Sequence, residues 1–253
     1  MAGTFRNATR VMGLTGRMEK QLLVWLAHRL PAAINSDHLT GLAALSMVAA
    51  AGAYIWSREW APALHLVNVC LLVNWFGDSL DGTVARVRNQ QRPRYGFYVD
   101  HVLDCAGIAV LVLGMIGSGL MSLTVGLAFL VAYFLVSIES YLATYTLTSF
   151  RMSFMGCGPT ELRILLAIGN LAALRSPVVT LFGETWLLFD VGAAASIPIL
   201  VIAFLIAAVR NGRALFRAEP RPPAQSSQCA GSPPSSDAHQ PLARAGIVRE
   251  SPA

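Results

Sequence analysis

The chain has 253 residues, of which 55% are hydrophobic and 13% charged, with a net charge of +5. A mean hydropathy of +0.54 is more apolar than one soluble core requires, and a soluble helical bundle would need a polar face on each helix. Runs such as Ala106–Leu120 and Ile197–Val209 have none. A water-soluble enzyme is therefore excluded by the composition, and nucleic-acid binding is not needed to explain the positive charge.

In chain order, the first element expected is an amphipathic helix. Leu14, Met18, Leu22, Trp25 and Leu26 share about a third of a helix circumference. Arg17, Lys20 and His28 lie off that stripe, and Arg29 lies within it. Such a segment is too charged to cross a bilayer and is expected to lie in the interface, the alternative being a soluble cap on the bundle. No cleavable leader is expected, because the first twenty residues are basic without an apolar core. Pro31 ends the helix, and Ser36 or Asp37 is the expected cap of the next.

Six apolar blocks of about spanning length follow: His38–Trp56, Trp60–Arg86, Gly96–Leu120, Met121–Phe150, Pro159–Leu174 and Thr185–Val209. They predict an all-α integral membrane protein with six transmembrane helices behind an N-terminal amphipathic interfacial helix. The expected division is 1–35 for the N-terminus, 36–217 for the membrane catalytic domain and 218–253 for a disordered tail, which is rich in proline and serine. Every Lys and Arg except Arg58 and Arg175 falls on one side of that arrangement. Positive charge marks the cytoplasmic side, so both termini and the 86–94 loop are expected there, with Trp56, Trp60 and Trp186 anchoring the other side. Cys70, Cys105, Cys157 and Cys229 form no paired or metal-finger spacing and read as reduced thiols.

Acidic residues inside these blocks are the informative feature. Asp78 and Asp81 are three apart on one helix, and Asp100 and Asp104 four apart on the next, so each pair shares a helical face. Pro93 favours an antiparallel turn between them. Asp104 lies nine residues beyond Tyr95, about 13 Å into its helix, and Asp81 and Asp78 lie seven and ten residues before Arg88. All four carboxylates can thus meet at similar depth. A central Asp costs about 2.5–3.5 kcal/mol on insertion scales, and four together repel one another unless counter-charge is supplied. Arg86 offsets one charge, and an all-oxygen set favours Mg²⁺, Mn²⁺ or Ca²⁺ over zinc. Gly82, Ala85 and Gly96 are small residues beside this cluster, which suits either close ligand approach or close helix packing. Glu139 is nine residues from a helix end near Thr148, at the same depth as Asp104, and either faces the site or bonds another helix. Arg163 either binds a substrate phosphate or sits in a helix start with Pro159 and Glu161. Asn74 reads as an interhelical hydrogen bond.

The pattern Asp78-x2-Asp81-Gly82-x2-Ala85-Arg86-x9-Gly96-x3-Asp100-x3-Asp104 resembles the signature of the CDP-alcohol phosphotransferases, integral membrane enzymes of phospholipid headgroup synthesis. All eight signature identities are present in order, with nine residues between Arg86 and Gly96 where the family usually has eight. The resemblance implies a substituted phosphate group passing from a CDP-alcohol to an acceptor hydroxyl, with release of CMP. It implies that Asp78, Asp81 and Asp100 hold two divalent ions, Mg²⁺ or Mn²⁺, and that Asp104 touches the second ion and acts as general base. Gly82 and Ala85 would face the cytidine, and Arg86 the diphosphate. Expected partners are the CDP-alcohol donor, a lipid or polar alcohol acceptor, membrane lipids and a second copy of the chain as a homodimer, with no nucleic acid. His101 after Asp100, and Cys105 where a basic residue often follows the fourth Asp, lean towards the choline- and ethanolamine-phosphotransferase branch. Ser36 and Asp37 stand where the family often has Pro-Asn before Leu-Thr. Two rivals are a divalent-metal channel or carrier, for which only Asp190 marks the other half of a path, and an intramembrane prenyltransferase, whose Asp-rich motifs lie farther apart than the eighteen residues between Asp81 and Asp100.

Overall fold

The computed structural model describes residues 16–147 and 159–219. The expected tail beyond Glu219, the first fifteen residues, Cys157 and Cys229 lie outside them. Seven helices appear among the described residues: α1 (Gly16–Arg29), α2 (Ser36–Trp56), α3 (Ala63–Val87), α4 (Pro93–Ser118), α5 (Leu123–Leu147), α6 (Pro159–Ala173) and α7 (Leu188–Ala218). An antiparallel hairpin, β1 (Val178–Leu181) with β2 (Glu184–Leu187), joins α6 to α7.

α2 is the element on which the site is built. Its small residues let α3 and α4 approach closely, and each packs along α2 more than against the other. A Cβ on Gly77 of α3 would lie 2.6 Å from the Leu39 carbonyl oxygen, and one on Gly114 of α4 2.6 Å from Ala51 Cα. Gly107 faces the Met47 side chain instead, 3.2 Å from where its Cβ would lie. Lipid supplies no hydrophobic drive between helices, so close backbone approach through small residues is what holds such seams. The result is a pair of helices leaning on a common wedge with a cleft between them.

Local chemistry sets the element ends. Asn35, rather than Ser36 or Asp37, caps α2: its side chain accepts from the His38 amide at 3.0 Å, and His38 Nδ1 accepts the Asn35 amide at 3.4 Å. Asn caps as well as Ser or Asp, and the earlier start leaves Asp37 in the first turn, where a carboxylate favours the helix dipole and pairs with Arg92. Arg88 ties the α3–α4 turn to the α1–α2 linker by donating to Leu30 and Pro31 carbonyls at 3.0 Å and to Ile34 at 2.5 Å. Pro93 opens α4 as its first residue, a position that needs no amide hydrogen, so α4 begins three residues before the expected Gly96. Gly119, at φ 81°, closes it.

α1 buries Leu23 and Ala27 against Leu39, Leu80 and Val84. Leu22 and Trp25 of the expected stripe remain half-exposed, with the Arg29 guanidinium 3.9 Å over the Trp25 ring. The helix therefore caps α3 with one face and shows apolar side chains on another.

Five helices, α2 to α5 and α7, are long and apolar enough to cross a bilayer. The fifth expected block, Pro159–Leu174, forms a shorter helix than the others. Its helix α6 has 15 residues, about 22 Å, against the roughly 20 apolar residues of a full crossing. Thr185–Leu187, assigned to the last span, lie in β2, and α7 starts at Leu188 and runs 31 residues to Ala218. The sequence carries no ordinary hairpin signal here, because the turn is Phe182-Gly183, both at positive φ (55° and 86°), where Asn-Gly is the usual signal. At that end Asp190 accepts the Ser122 amide at 2.8 Å, tying the start of α7 to the residue before α5, whose hydroxyl accepts the Val125 amide at 3.4 Å.

Candidate active site

Asp78 on α3 faces Asp100 and Asp104 on α4 across the cleft. Each offers one carboxylate oxygen, and the three oxygens lie within 4.8 Å of one another. Helical spacing places Asp100 and Asp104 on one face; the contact of Gly77 with α2 sets how far Asp78 reaches. Three partly buried carboxylates at this separation form a hard, all-oxygen donor set without a thiolate or imidazole, which fits a divalent cation of the Mg²⁺ or Mn²⁺ type.

Arg163 reaches the cluster. Its Nη2 donates to Asp78 Oδ2 at 2.6 Å and its Nε to Asn74 Oδ1 at 2.8 Å. Asn74 in turn donates to the Ala43 carbonyl at 3.0 Å, so it links α2, α3 and α6 in one chain of hydrogen bonds. The ion pair is charge-assisted and largely screened from water, the setting in which such bonds are strongest.

Asp81 stands one turn along α3 and outside the three-residue set. Thr40 Oγ1 donates to its Oδ2 at 2.6 Å, and the Gly82 amide donates to its other oxygen. Thr40 is the site residue that the sequence reading missed; the Leu39-Thr40 pair was in view, but nothing in it showed that its hydroxyl turns to Asp81. Arg86 donates to Thr83 Oγ1 at 3.0 Å, and a Cβ on Gly82 would lie 3.5 Å from its Nη1. Ala85 is partly buried and Gly96 exposed, at the ends of α3 and α4 nearest the loop. No atom lies within 4 Å of a Cβ built on Gly96.

Glu139 bonds another helix, and His101 lies beside the cluster, its Nδ1 3.7 Å from Asp100 Oδ2. Glu139 Oε1 accepts from Asn211 Nδ2 at 2.6 Å, joining α5 to α7. His101 is buried, donates through Nδ1 to the Phe97 carbonyl at 2.6 Å, and packs its ring 4.1 Å from Phe97 and 4.4 Å from Tyr141. It thus occupies the α4–α5 seam.

On the α4 face that carries Asp104, the next turns present Ile108, Leu111 and Met115. With Leu166, Phe189 and Gly192 they line an apolar cavity of about 280 Å³ among α4 to α7. A charged cluster and an apolar chamber therefore follow one another along a single helix face.

A protein-family model described as CDP-alcohol phosphatidyltransferase matches residues 33–209, from just before α2 to the last third of α7. No curated protein matches the chain.

Proposed function

Because the chain belongs to the CDP-alcohol phosphatidyltransferase family, we propose that the cleft between α3 and α4 is where an acceptor hydroxyl displaces CMP from a CDP-alcohol. The acceptor oxygen attacks the phosphorus that carries the donor's alcohol. The bond from that phosphorus to the bridging oxygen breaks, and CMP leaves with the electron pair. Asp104 takes the hydroxyl proton, as a carboxylate in a half-buried site can. Arg163 and Arg86 bind and orient the diphosphate, and Gly82, Ala85 and Gly96 leave room for the nucleotide. When bound, two Mg²⁺ or Mn²⁺ ions held by Asp78, Asp81, Asp100 and Asp104 supply charge neutralisation at the diphosphate and the departing CMP.

The carrying observation is the convergence of Asp78, Asp100 and Asp104 with Arg163 on Asp78. The apolar cavity beyond Asp104 supports a substrate with an acyl chain. His101 after Asp100 favours CDP-choline or CDP-ethanolamine with diacylglycerol over CDP-diacylglycerol with a polar alcohol. Residues 36–217 form the catalytic membrane domain, with α1 in the interface and the site on the cytoplasmic side. Glu139 acts from α5 by fixing α7, and a homodimer is the expected assembly.

The test is CMP release by purified protein across a panel of both donor–acceptor classes. Turnover with at least one pair is expected, abolished by chelation and restored by Mg²⁺ or Mn²⁺. Folded protein that releases no CMP from any pair, or turns over fully without divalent ions, overturns the proposal.

A further inference from the structure

α6 is an unusual part of the bundle. It has 15 residues, and Ile164, Leu165, Ile168 and Leu171 are left exposed, Leu165 and Ile168 where they also line the apolar cavity. Leu162 and Leu166 pack on the core and Ala173 is buried in it, but apolar contact is non-directional. Polar contacts, which are directional, are what can fix the register of so short a helix along α3.

Two sets of such contacts lie on one face. Arg163 and Asn170 are seven residues apart, two turns of helix and about 10 Å. Arg163 bonds Asn74 and Asp78. Asn170, at 0% exposure, accepts from the Tyr54 hydroxyl at 2.8 Å and donates to Asn68 Oδ1 at 2.7 Å. Asn68 also donates to the Ala167 carbonyl at 3.4 Å. The order is antiparallel: the start of α6 meets the later residues Asn74 and Asp78 of α3, and its later half meets Asn68. Sliding α6 by one residue would rotate it by about 100° and break both contacts at once.

We infer that the Tyr54–Asn170–Asn68 clasp is a positioning device that sets the register of α6, and through it the placement of Arg163 on the donor's diphosphate. The diphosphate role of Arg163 rests on the function proposed above; the register does not. Arg163 shares Asp78 with the carboxylate cluster, so the ion pair is not a dedicated anchor. The distant clasp is one, because none of its three side chains belongs to the cluster. Tyr54, Asn68 and Asn170 are thus positioning residues, acting on the substrate only through Arg163.

Two measurements on the purified full-length chain test this. The first is amide exchange over residues 163–166 without ligand, which is expected to rise in Asn170→Leu and, by less, in Tyr54→Phe. The second is the affinity for CDP in Mg²⁺ buffer. Asn170→Leu should weaken it about tenfold, roughly the loosening of one charge-assisted hydrogen bond. With Arg163→Ala already present, the same substitution should change it by less than about twofold. If Asn170→Leu does not fold, Tyr54→Phe, which removes one hydroxyl and keeps the ring, carries both measurements. Unchanged exchange in the folded variants overturns the inference. So does an equal loss of CDP affinity with and without Arg163, which marks a general structural role, or a rise in exchange with no change in CDP affinity. An unsubstituted chain that fails to bind CDP sinks the proposed function instead, and the exchange data still decide the clasp.

Discussion

At the scale of single residues, the carboxylates divide by their partners. Asp104 shares its oxygen cluster with Asp78 and Asp100, and in the proposed role of base it should be separable from the donor set. Asp104→Asn is expected to lower turnover by about 10²–10⁴-fold with near-normal CDP binding. An Asn variant that keeps most of its activity removes Asp104 from the mechanism. Asp81 depends on a hydroxyl from another helix, since Thr40 donates to it at 2.6 Å. Thr40→Val keeps the shape and removes that donor, at a cost of about 1.5–3 kcal/mol for a bond to a charged group. The Mg²⁺ concentration for half-maximal activity should rise several-fold while the maximal rate is largely retained. An unaltered metal titration would show that Asp81 needs no help from Thr40.

At the scale of elements, the cleft exists because α3 and α4 are fastened to α2 through glycines. Alanine at Gly114 would put a Cβ 2.6 Å from Ala51 Cα and 2.8 Å from its carbonyl oxygen. These are backbone atoms, so the strain cannot be relieved by a rotamer change, and overpacking of this kind costs about 1–3 kcal/mol. Gly114→Ala should lower thermal stability and also reduce turnover, since it moves the helix that carries Asp100 and Asp104. Gly52 is the internal control. It lies in α2 with nothing within 4 Å of a built Cβ, so Gly52→Ala should be neutral or stabilising, by up to about 1 kcal/mol of helix propensity. Equal melting temperatures for the two variants would show that the α2–α4 seam is not tight.

For the whole molecule, chain direction bears on topology. Arg163 at the start of α6 meets Asp78, and Asp190 at the start of α7 meets Ser122 at the opposite end of the bundle. The chain thus passes from one end to the other between Arg163 and Asp190, a short helix followed by a hairpin. We propose that this passage is a further crossing, the fifth in chain order and six in all with α7, and that both termini are cytoplasmic. Single cysteines at Asn89 and Gly183, in a background without native thiols, should label from opposite sides of sealed vesicles, with Asn89 cytoplasmic. Labelling of both from one side would overturn it.

The spacing of Asp78, Asp81, Asp100 and Asp104 was legible in the chain itself, because helical periodicity alone puts each pair on one face. Five of the six apolar blocks were legible for the same reason, since crossing lipid requires a long run without charge. The partner of each polar group was not. Thr40 on Asp81, Arg163 on Asp78, and Glu139 on Asn211 in place of the carboxylate cluster all depend on how neighbouring helices rotate and slide. Around α2 that is decided by which glycines let backbones touch. Gly77 and Gly114 look like Gly52 and Gly96 in the sequence, yet the first pair meets the α2 backbone and the second meets nothing within 4 Å. Only packing distinguishes them, because a missing side chain leaves no periodic signal beyond its absence.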